Sequence, residues 1–335
     1  MEEYQIEISE EDERQEESAT KKVLKWFSKN LLFLILPGSR LEDLTIRQME
    51  YEKLISKRKF IRRLKSVLTI IGILIVLAIV TLAVFPHWIS PYTFAEVGRL
   101  AVYTGVWDPP SPEHLLGQGA MGRDVLGRII FGARASLTIA LPAISFSVIL
   151  GIMIGIIAAY YGGWLDAVIM RLCDILLAFP GLVLALVFIA IWGQQIQYIM
   201  LAWGILGVPY YARLIRGNVL QARALPYIEA AKVAGAGSWR IMFRHILPNV
   251  IQPIIISFTF DIGGVILGLA GLAYLGFSDA SLIEWGNDIN AARVYLYSAP
   301  WASLMPGFMI LLTVLGFMLV GDGLRDALDP RLRNL

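Results

Sequence analysis

Val67-Leu-Thr-Ile-Ile-Gly-Ile-Leu-Ile-Val-Leu-Ala-Ile-Val-Thr-Leu-Ala-Val-Phe85 is an unbroken apolar run without a single charge. A helix needs about 20 such residues to cross the hydrocarbon core of a bilayer, so this run reads as a membrane span. Five further windows fit the same template: Leu137–Tyr161, Val168–Trp192, Ile196–Ile215, Val250–Leu275 and Trp301–Val320. Leu137–Tyr161 and Trp301–Val320 are free of charge, and Val168–Trp192 is free of it after Asp174. Val250–Leu275 carries only Asp261. Ile196–Ile215 is the weakest window, holding Gly204, Gly207, Pro209 and Arg213. The expected fold is an all-α integral membrane protein with six transmembrane helices, at 67–85, 137–161, 168–192, 196–215, 250–275 and 301–320.

Composition agrees. Of 335 residues, 57% are apolar and 17% charged, against about one quarter charged in soluble domains. The mean hydropathy is +0.64. The net charge of +2 conceals a split: residues 1–20 hold nine acids and one base, leaving 28 bases against 18 acids elsewhere. Those bases flank apolar segments and form no continuous stripe, so a nucleic-acid partner is not expected. The lone Cys173 excludes an internal disulfide, and the acidic N-terminus lacks the basic start of a cleavable signal peptide.

Basic residues near span ends set orientation. Lys53, Lys57, Arg58, Lys59, Arg62, Arg63 and Lys65 precede the first span; Arg216, Arg223, Lys232, Arg240 and Arg244 lie between the fourth and fifth; Arg325, Arg331 and Arg333 follow the sixth. The loop after the fifth holds only Arg293. With six spans, all the basic segments fall on one side, which places both termini in the cytoplasm of a cell-membrane protein. Ahead of the membrane region 66–335, residues 1–20 read as an acidic disordered segment. Residues 21–65 read as amphipathic, with Leu24, Phe27, Leu31 and Leu34 on one face and Lys22, Lys25 and Lys29 on another. That pattern fits an interfacial helix or a cytoplasmic one equally.

Between the fourth and fifth spans the chain reads Pro226-Tyr-Ile-Glu-Ala-Ala-Lys-Val-Ala-Gly235-Ala-Gly-Ser238-Trp-Arg-Ile-Met-Phe-Arg-His245-Ile-Leu-Pro-Asn249. Two short helices are expected. Pro226 and Glu229 suit the start of the first, and Gly235 can supply the left-handed residue that ends it. Ser238 is then expected to cap a second helix, closing before Pro248. Ala230, Ala231 and Ala234 leave a surface with little side chain, which suits docking into another protein's groove. The alternative is an amphipathic connector lying on the membrane.

Glu229, Ala230, Ala231, Gly235, Leu247 and Pro248 resemble the signature loop of ABC-importer permeases. His245 stands where that signature usually has Ile, as in the dipeptide/oligopeptide branch. Three other stretches resemble the second (C-type) permease of that branch: Gly122-Arg123-Asp124-Val125-Leu126 with Gly132-Ala133-Arg134, Trp285-Gly286-Asn287, and the tail Gly321 to Arg333. The likeness covers about residues 60–335. It implies a transport permease, not an enzyme, that works with a homologous second permease, two ABC ATPase subunits holding ATP and Mg, and an extracytoplasmic substrate-binding protein. No cofactor is implied on this chain. The expected cargo is peptides, oligosaccharides or nickel complexes. The sequence departs from the branch at His114-Leu-Leu-Gly117-Gln118-Gly119, where the family has His-Pro-Leu-Gly-Thr-Asp, and at Leu269, where it often has an acid. Residues 1–60 exceed the usual N-terminal segment.

Other signals are weaker. Gly117-Gln-Gly-Ala-Met-Gly122 matches a dinucleotide fingerprint, yet prolines 109, 110 and 112 precede it where a strand is required. No Gly-Lys-Ser or Gly-Lys-Thr phosphate loop occurs, and His87, His114 and His245 lack metal-ligand spacing. Charges inside spans mark partners or water-filled paths. Arg171 and Asp174 share a helix face and suit a mutual or inter-span ion pair, with substrate contact as the second reading. Asp261 suits a pathway wall or a pairing with the partner permease. An ion-coupled secondary transporter, with Asp261 as coupling acid, is the rival function. Gly151-x-x-x-Gly155 and Gly264-x-x-x-Gly268 suit close helix packing.

Overall fold

A computed structural model describes residues 66–98, 106–279 and 281–328. The expectations for residues 1–65, and for the tail beyond Leu328, lie outside these residues. The described chain is helical: α1 (Val67–Val84), α2 (Val125–Tyr161), α3 (Gly163–Leu177), α4 (Gly181–Trp192), α5 (Ile196–Arg223), α6 (Pro226–Val233), α7 (Gln252–Tyr274), α8 (Trp285–Ala292) and α9 (Pro300–Leu328), with shorter turns between. Five of these helices are long and apolar enough to cross a membrane; α3 and α4, bent by 89°, make the sixth crossing if taken as one broken span. The all-α membrane fold read from the sequence holds.

The boundaries of four spans differ from those read in the sequence. The second span begins at Val125, twelve residues before the apolar window opens, because its charges are already occupied. Arg134 donates to the last carbonyls of α1, Ala83 O (2.9 Å) and Val84 O (3.0 Å), groups that a helix C-terminus leaves without intrahelical donors. Arg128 pairs with Asp288 at 2.6 Å and donates to Val97 O at 2.7 Å. Asp124 accepts from Gly127 N (2.6 Å) and caps the helix. At about 1.5 Å per residue α2 is ~55 Å long, more than a bilayer requires. The third window is not one helix: it breaks before Pro180, whose ring cannot follow a continuing helix. The fourth and sixth helices run past their predicted ends to Arg223 and Leu328.

One seam organises the bundle. Ala143, Ser147, Gly151 and Gly155 recur every four residues on α2 and face α5. Ser147 Oγ donates to Gly204 O across it at 2.6 Å. A Cβ on Gly151 would sit 2.4 Å from Tyr211 Cβ, and one on Gly155 would sit 2.3 Å from Ala212 O. Lipid tails are as apolar as the side chains, so helices in a bilayer associate through this kind of close approach. The other expected pair divides: Gly268 lies under the Trp203 ring, while nothing comes within 4 Å of a Cβ on Gly264. Around the seam a first buried cluster joins α1, α2, α4, α5, α7 and α9 through Ile79, Ile144, Ile189, Ile199, Ile266 and Phe317.

A large side chain at Gly155 has no room because its neighbour is backbone. Gly155→Leu is expected to destabilise the purified chain by 1–3 kcal/mol or more, about the cost of overpacking, whereas Gly264→Ala should stay within about 0.5 kcal/mol. Thermal unfolding in detergent compares the two.

Candidate functional site

The segment after α5 is where the signature lies. Pro226 is the first residue of α6, and Glu229 stands exposed in its first turn. The helix closes in a Schellman motif: Ala236 N–H reaches Ala231 O and Gly235 N–H reaches Lys232 O, both at 3.0 Å, with Gly235 at φ +79° as expected. Ser238 does not cap the next helix. Gly237 holds the cap position without a side-chain bond, and Ser238 is the first helical residue. Nor does that helix close before Pro248. It widens into a π-helical stretch, Ile241–Ile246, and continues as Leu247–Val250. Leu247 N–H bonds to Met242 O, five residues back, and this wider winding accommodates a proline that an α-helix resists.

The two faces of this segment differ sharply. Ile228, Ile241, Met242, Ile246 and Val250 point inward, joining Ile156 and Ala159 of α2, Tyr211, Ile215, Val219 and Ala222 of α5, and Ile254 of α7 in a second buried cluster. Ala231 and Leu247 are partly buried against it. Ala230, Ala234 and Gly235 are exposed, and the face also presents Val233, 90% exposed, and Trp239, 60% exposed and stacked on Phe243 at 4.8 Å. His245 is half-buried, its carbonyl accepting from Asn249 Nδ2 at 2.7 Å; Pro248 is exposed.

The charges within the helices find partners far along the chain. Asp174 pairs with Arg213 of α5, not with Arg171; both partners are about half exposed. Arg171 is exposed and makes no ion pair among the described residues. Arg216 grips Asp166 with two nitrogens, at 2.6 and 2.5 Å. Asp261 accepts from the hydroxyl of buried Tyr211 at 2.6 Å, so its partner is in the same chain. The sequence marks Arg213 and Arg216 only as charges in or beside a span, and Tyr211 and Asp166 not at all; separations of 39 to 50 residues carry no local signal of these pairs.

At the other end of the bundle two of the scattered motifs meet, the Gly122–Arg134 stretch and Trp285-Gly286-Asn287, while Gly321 and Gly323 of the tail lie far from them, against Phe260 and Thr69. Trp285 is fully buried; its indole N–H donates to Ile129 O at 3.1 Å, and its ring covers Gly132, where a Cβ would sit 2.6 Å from Nε1. Trp301 donates to Gln118 O at 3.1 Å. His114 bridges Asp124 (3.0 Å), Gln118 (2.8 Å) and Tyr92 (3.0 Å), and Gly117 turns the chain at φ +76°. The Gly117–Gly122 stretch forms a turn with a short 3₁₀ helix at Ala120–Gly122, not a strand-to-helix phosphate site. Among the described residues no three His, Cys, Asp or Glu side chains converge on a metal-sized site. Glu284 caps α8, accepting from Asn287 N at 3.0 Å, and is buried. Burial pushes its carboxyl up to about 7, helped by the neighbouring Asp288 and opposed by backbone N–H groups and Arg128.

Comparison with known proteins bears on this architecture directly. Residues 151–334, which contain the α6 segment and α8, match the family described as binding-protein-dependent transport system inner membrane component. The chain belongs to this family. It is 41% identical over 271 residues to the dipeptide transport system permease protein DppC of Alkalihalophilus pseudofirmus, covering 81% of this chain and 88% of the relative. It is 39% identical over 279 residues to the glutathione transport system permease protein GsiD of Pectobacterium atrosepticum, covering 83% and 92%. The GsiD protein of Escherichia coli is 38% identical over 262 residues, covering 78% and 86%. Taken with these relatives, the family match identifies a permease of the dipeptide/oligopeptide ABC-importer type, and the family implies ATPase and substrate-binding partners. The rival reading as an ion-coupled transporter is set aside on that match.

Glu284 gives a pH test of the α8 packing. A buried carboxyl raised to about 7 keeps its proton in the folded state while the unfolded chain loses it near 4.5, so stability falls as pH rises between those values. Glu284→Gln retains the capping oxygen and removes that loss. Its melting temperature should exceed the parent's above pH 7, by up to ~3 kcal/mol in stability, and converge with it below pH 4.5.

Proposed function

We propose that this chain is the second permease of an importer for small peptides and that its α6 segment docks onto a separate ATPase, which holds ATP and Mg. The carrying observation is the two-sidedness of the segment. Its inner face is locked by Ile228, Ile241, Met242 and Ile246 into a cluster continuous with α2 and α5, while its outer face offers small and apolar groups to another molecule. Ala230, Ala234 and Gly235 permit close approach, and Val233 and Trp239 supply apolar area. Ala231 and Leu247 support the segment from within, and the His245 carbonyl accepts from Asn249. Glu229 favours the positive end of α6, and Pro248 sets the turn toward α7.

The remaining parts of the reading follow. Positive charge near the span ends supports a cytoplasmic location for both termini and residues 216–247, with residues 277–299 outside in a cell membrane. Residues 66–335 form the permease domain behind a separate N-terminal extension. A homologous permease completes the pathway, two ATPases bind below, and a binding protein delivers cargo from outside. Peptide cargo is supported by relatives named for dipeptide and glutathione transport. Closure of the ATPases pulls the docked segment and, through the shared cluster, the inner ends of α2 and α5.

Docking predicts a specific loss. Ala230→Trp on the exposed face, and Gly235→Val at its positive φ, should each reduce co-purification of the ATPases about tenfold, equivalent to ~1.4 kcal/mol, and lower transport-stimulated ATP hydrolysis. Membrane insertion should be unchanged, since no span is altered. Retention of the ATPases by both variants at the parent level would reduce the segment to a surface connector.

A further inference from the structure

Every long helix of the bundle exposes apolar side chains, and one face adds polar and charged groups to them. The exposed side chains of α1 include Val67, Leu68, Leu74 and Leu77, and those of α9 include Leu304, Phe308 and Leu311. These suit acyl chains. The face across α3, α5 and α7 is different. Asp174 and Arg213 form an ion pair that is half exposed, Arg171 is exposed beside it, and Tyr210 Oη lies 3.3 Å from Ser257 Oγ. Asp261 follows one turn beyond Ser257, held from behind by Tyr211. Along α7 the stripe continues as Gly264, with open space where its Cβ would be.

Charged groups within a span are costly against hydrocarbon, so they face protein or water. Arg213 lies ten residues from the end of α5 and Asp261 nine from the start of α7, both on the order of 15 Å from the end that bears α6. We propose that Arg171, Asp174, Tyr210, Arg213, Ser257 and Asp261 form this chain's wall of a water-filled vestibule in the inner half of the bundle, where the Asp174–Arg213 pair presents one charge of each sign to a solute bearing free ammonium and carboxylate groups. The inference rests on the importer reading and adds to it the surface that the passing solute meets. Asp174 and Arg213 neutralise each other while the wall is empty. A zwitterionic solute exchanges that mutual contact for two complementary ones, so the wall receives either end of a peptide without leaving a bare charge. Asp261 accepts one hydrogen bond from Tyr211 and keeps carboxylate lone pairs for an ammonium group.

The test uses the assembled importer in proteoliposomes, with Cys173→Ala as background. Ser257→Cys, Tyr210→Cys and Gly264→Cys report on the wall, and Leu74→Cys reports on the lipid face. Two charged, membrane-impermeant thiol reagents are applied, the cationic MTSET and the anionic MTSES, with and without trapped ATP. In at least one nucleotide state the wall positions should react about tenfold or more faster than Leu74→Cys, because a thiol ionises only where water reaches it. Adding Asp261→Asn should raise the anionic-to-cationic rate ratio at position 257 at least about threefold, by removing one nearby negative charge. Absence of reaction at 210, 257 and 264 in both states, with the ATPases still bound, would assign this face to packing against the partner permease and overturn the vestibule. A rate ratio unmoved by Asp261→Asn would overturn the charge assignment. Failure of the unmodified assembly to retain any ATPase would sink the importer reading itself, and the vestibule with it.

Discussion

The closeness of α2 to α5 is the constraint on which the other arrangements depend. Water cannot drive these helices together once both lie in lipid, so contact area must come from backbones brought near each other. Ala143, Ser147, Gly151 and Gly155 make that possible on α2, and the Ser147–Gly204 bond fixes the depth of the seam. With α5 held there, Tyr211 is buried against Gly151 and its hydroxyl is turned to Asp261 on α7. The same helix then carries Ile215 and Val219 down into the cluster that anchors the α6 segment. One close contact therefore sets the intramembrane carboxylate and the base of the α6 segment together. Tightly packed interiors deform little, so a displacement applied at α6 passes along α5 and is not absorbed locally.

The opposite end is held by different means. Here the helices leave the apolar layer, and buried polar groups need named partners. Two indole N–H groups, from Trp285 and Trp301, close carbonyls at Ile129 and Gln118, and Arg128 ties Val97 and Asp288 to the first turns of α2. Asp124 caps α2 while contacting His114, so the turn that departs from the family pattern is still connected to the helix it precedes. The α8 end is thus a polar lattice, and the seam beneath it is a steric one.

The sequence reveals the spans because period and composition are local properties. It reveals the α6 segment because Pro226, Gly235 and the alanines act on their own neighbourhood. It does not reveal why Arg128 and Arg134 are tolerated inside α2, since their partners are 160, 31 and about 50 residues away. The same distance hides Tyr211 behind Asp261 and Arg213 beside Asp174. The break in the third span is hidden for another reason: hydropathy averages across Pro180, whose backbone effect has no apolar signature. The π-helical stretch before Pro248 is likewise a backbone accommodation that no spacing rule announces. Ser238 misleads because a good capping residue stands one position late, after a glycine that takes the cap without a side chain.

That broken span links the two halves of the structure. The half-span α4 contributes Ala185 and Ile189 to the main buried cluster, so apolar packing holds it. The half-span α3 buries only Cys173 and is fixed instead by Asp166 on Arg216 and Asp174 on Arg213. Both clamps land on α5, within the ten residues before its end. A bend of 89° at Ala178–Pro180 separates the two kinds of attachment. Ion pairs tolerate small sliding and rotation that interlocked side chains resist, because their attraction varies slowly with distance while steric overlap rises steeply. The two parts of the crossing are therefore attached differently: α4 by interlocked side chains to the main cluster, and α3 by ion pairs to the end of α5 that bears α6. The helix that carries the exposed arginine and half of the ion pair is therefore the one mechanically tied to the α6 segment.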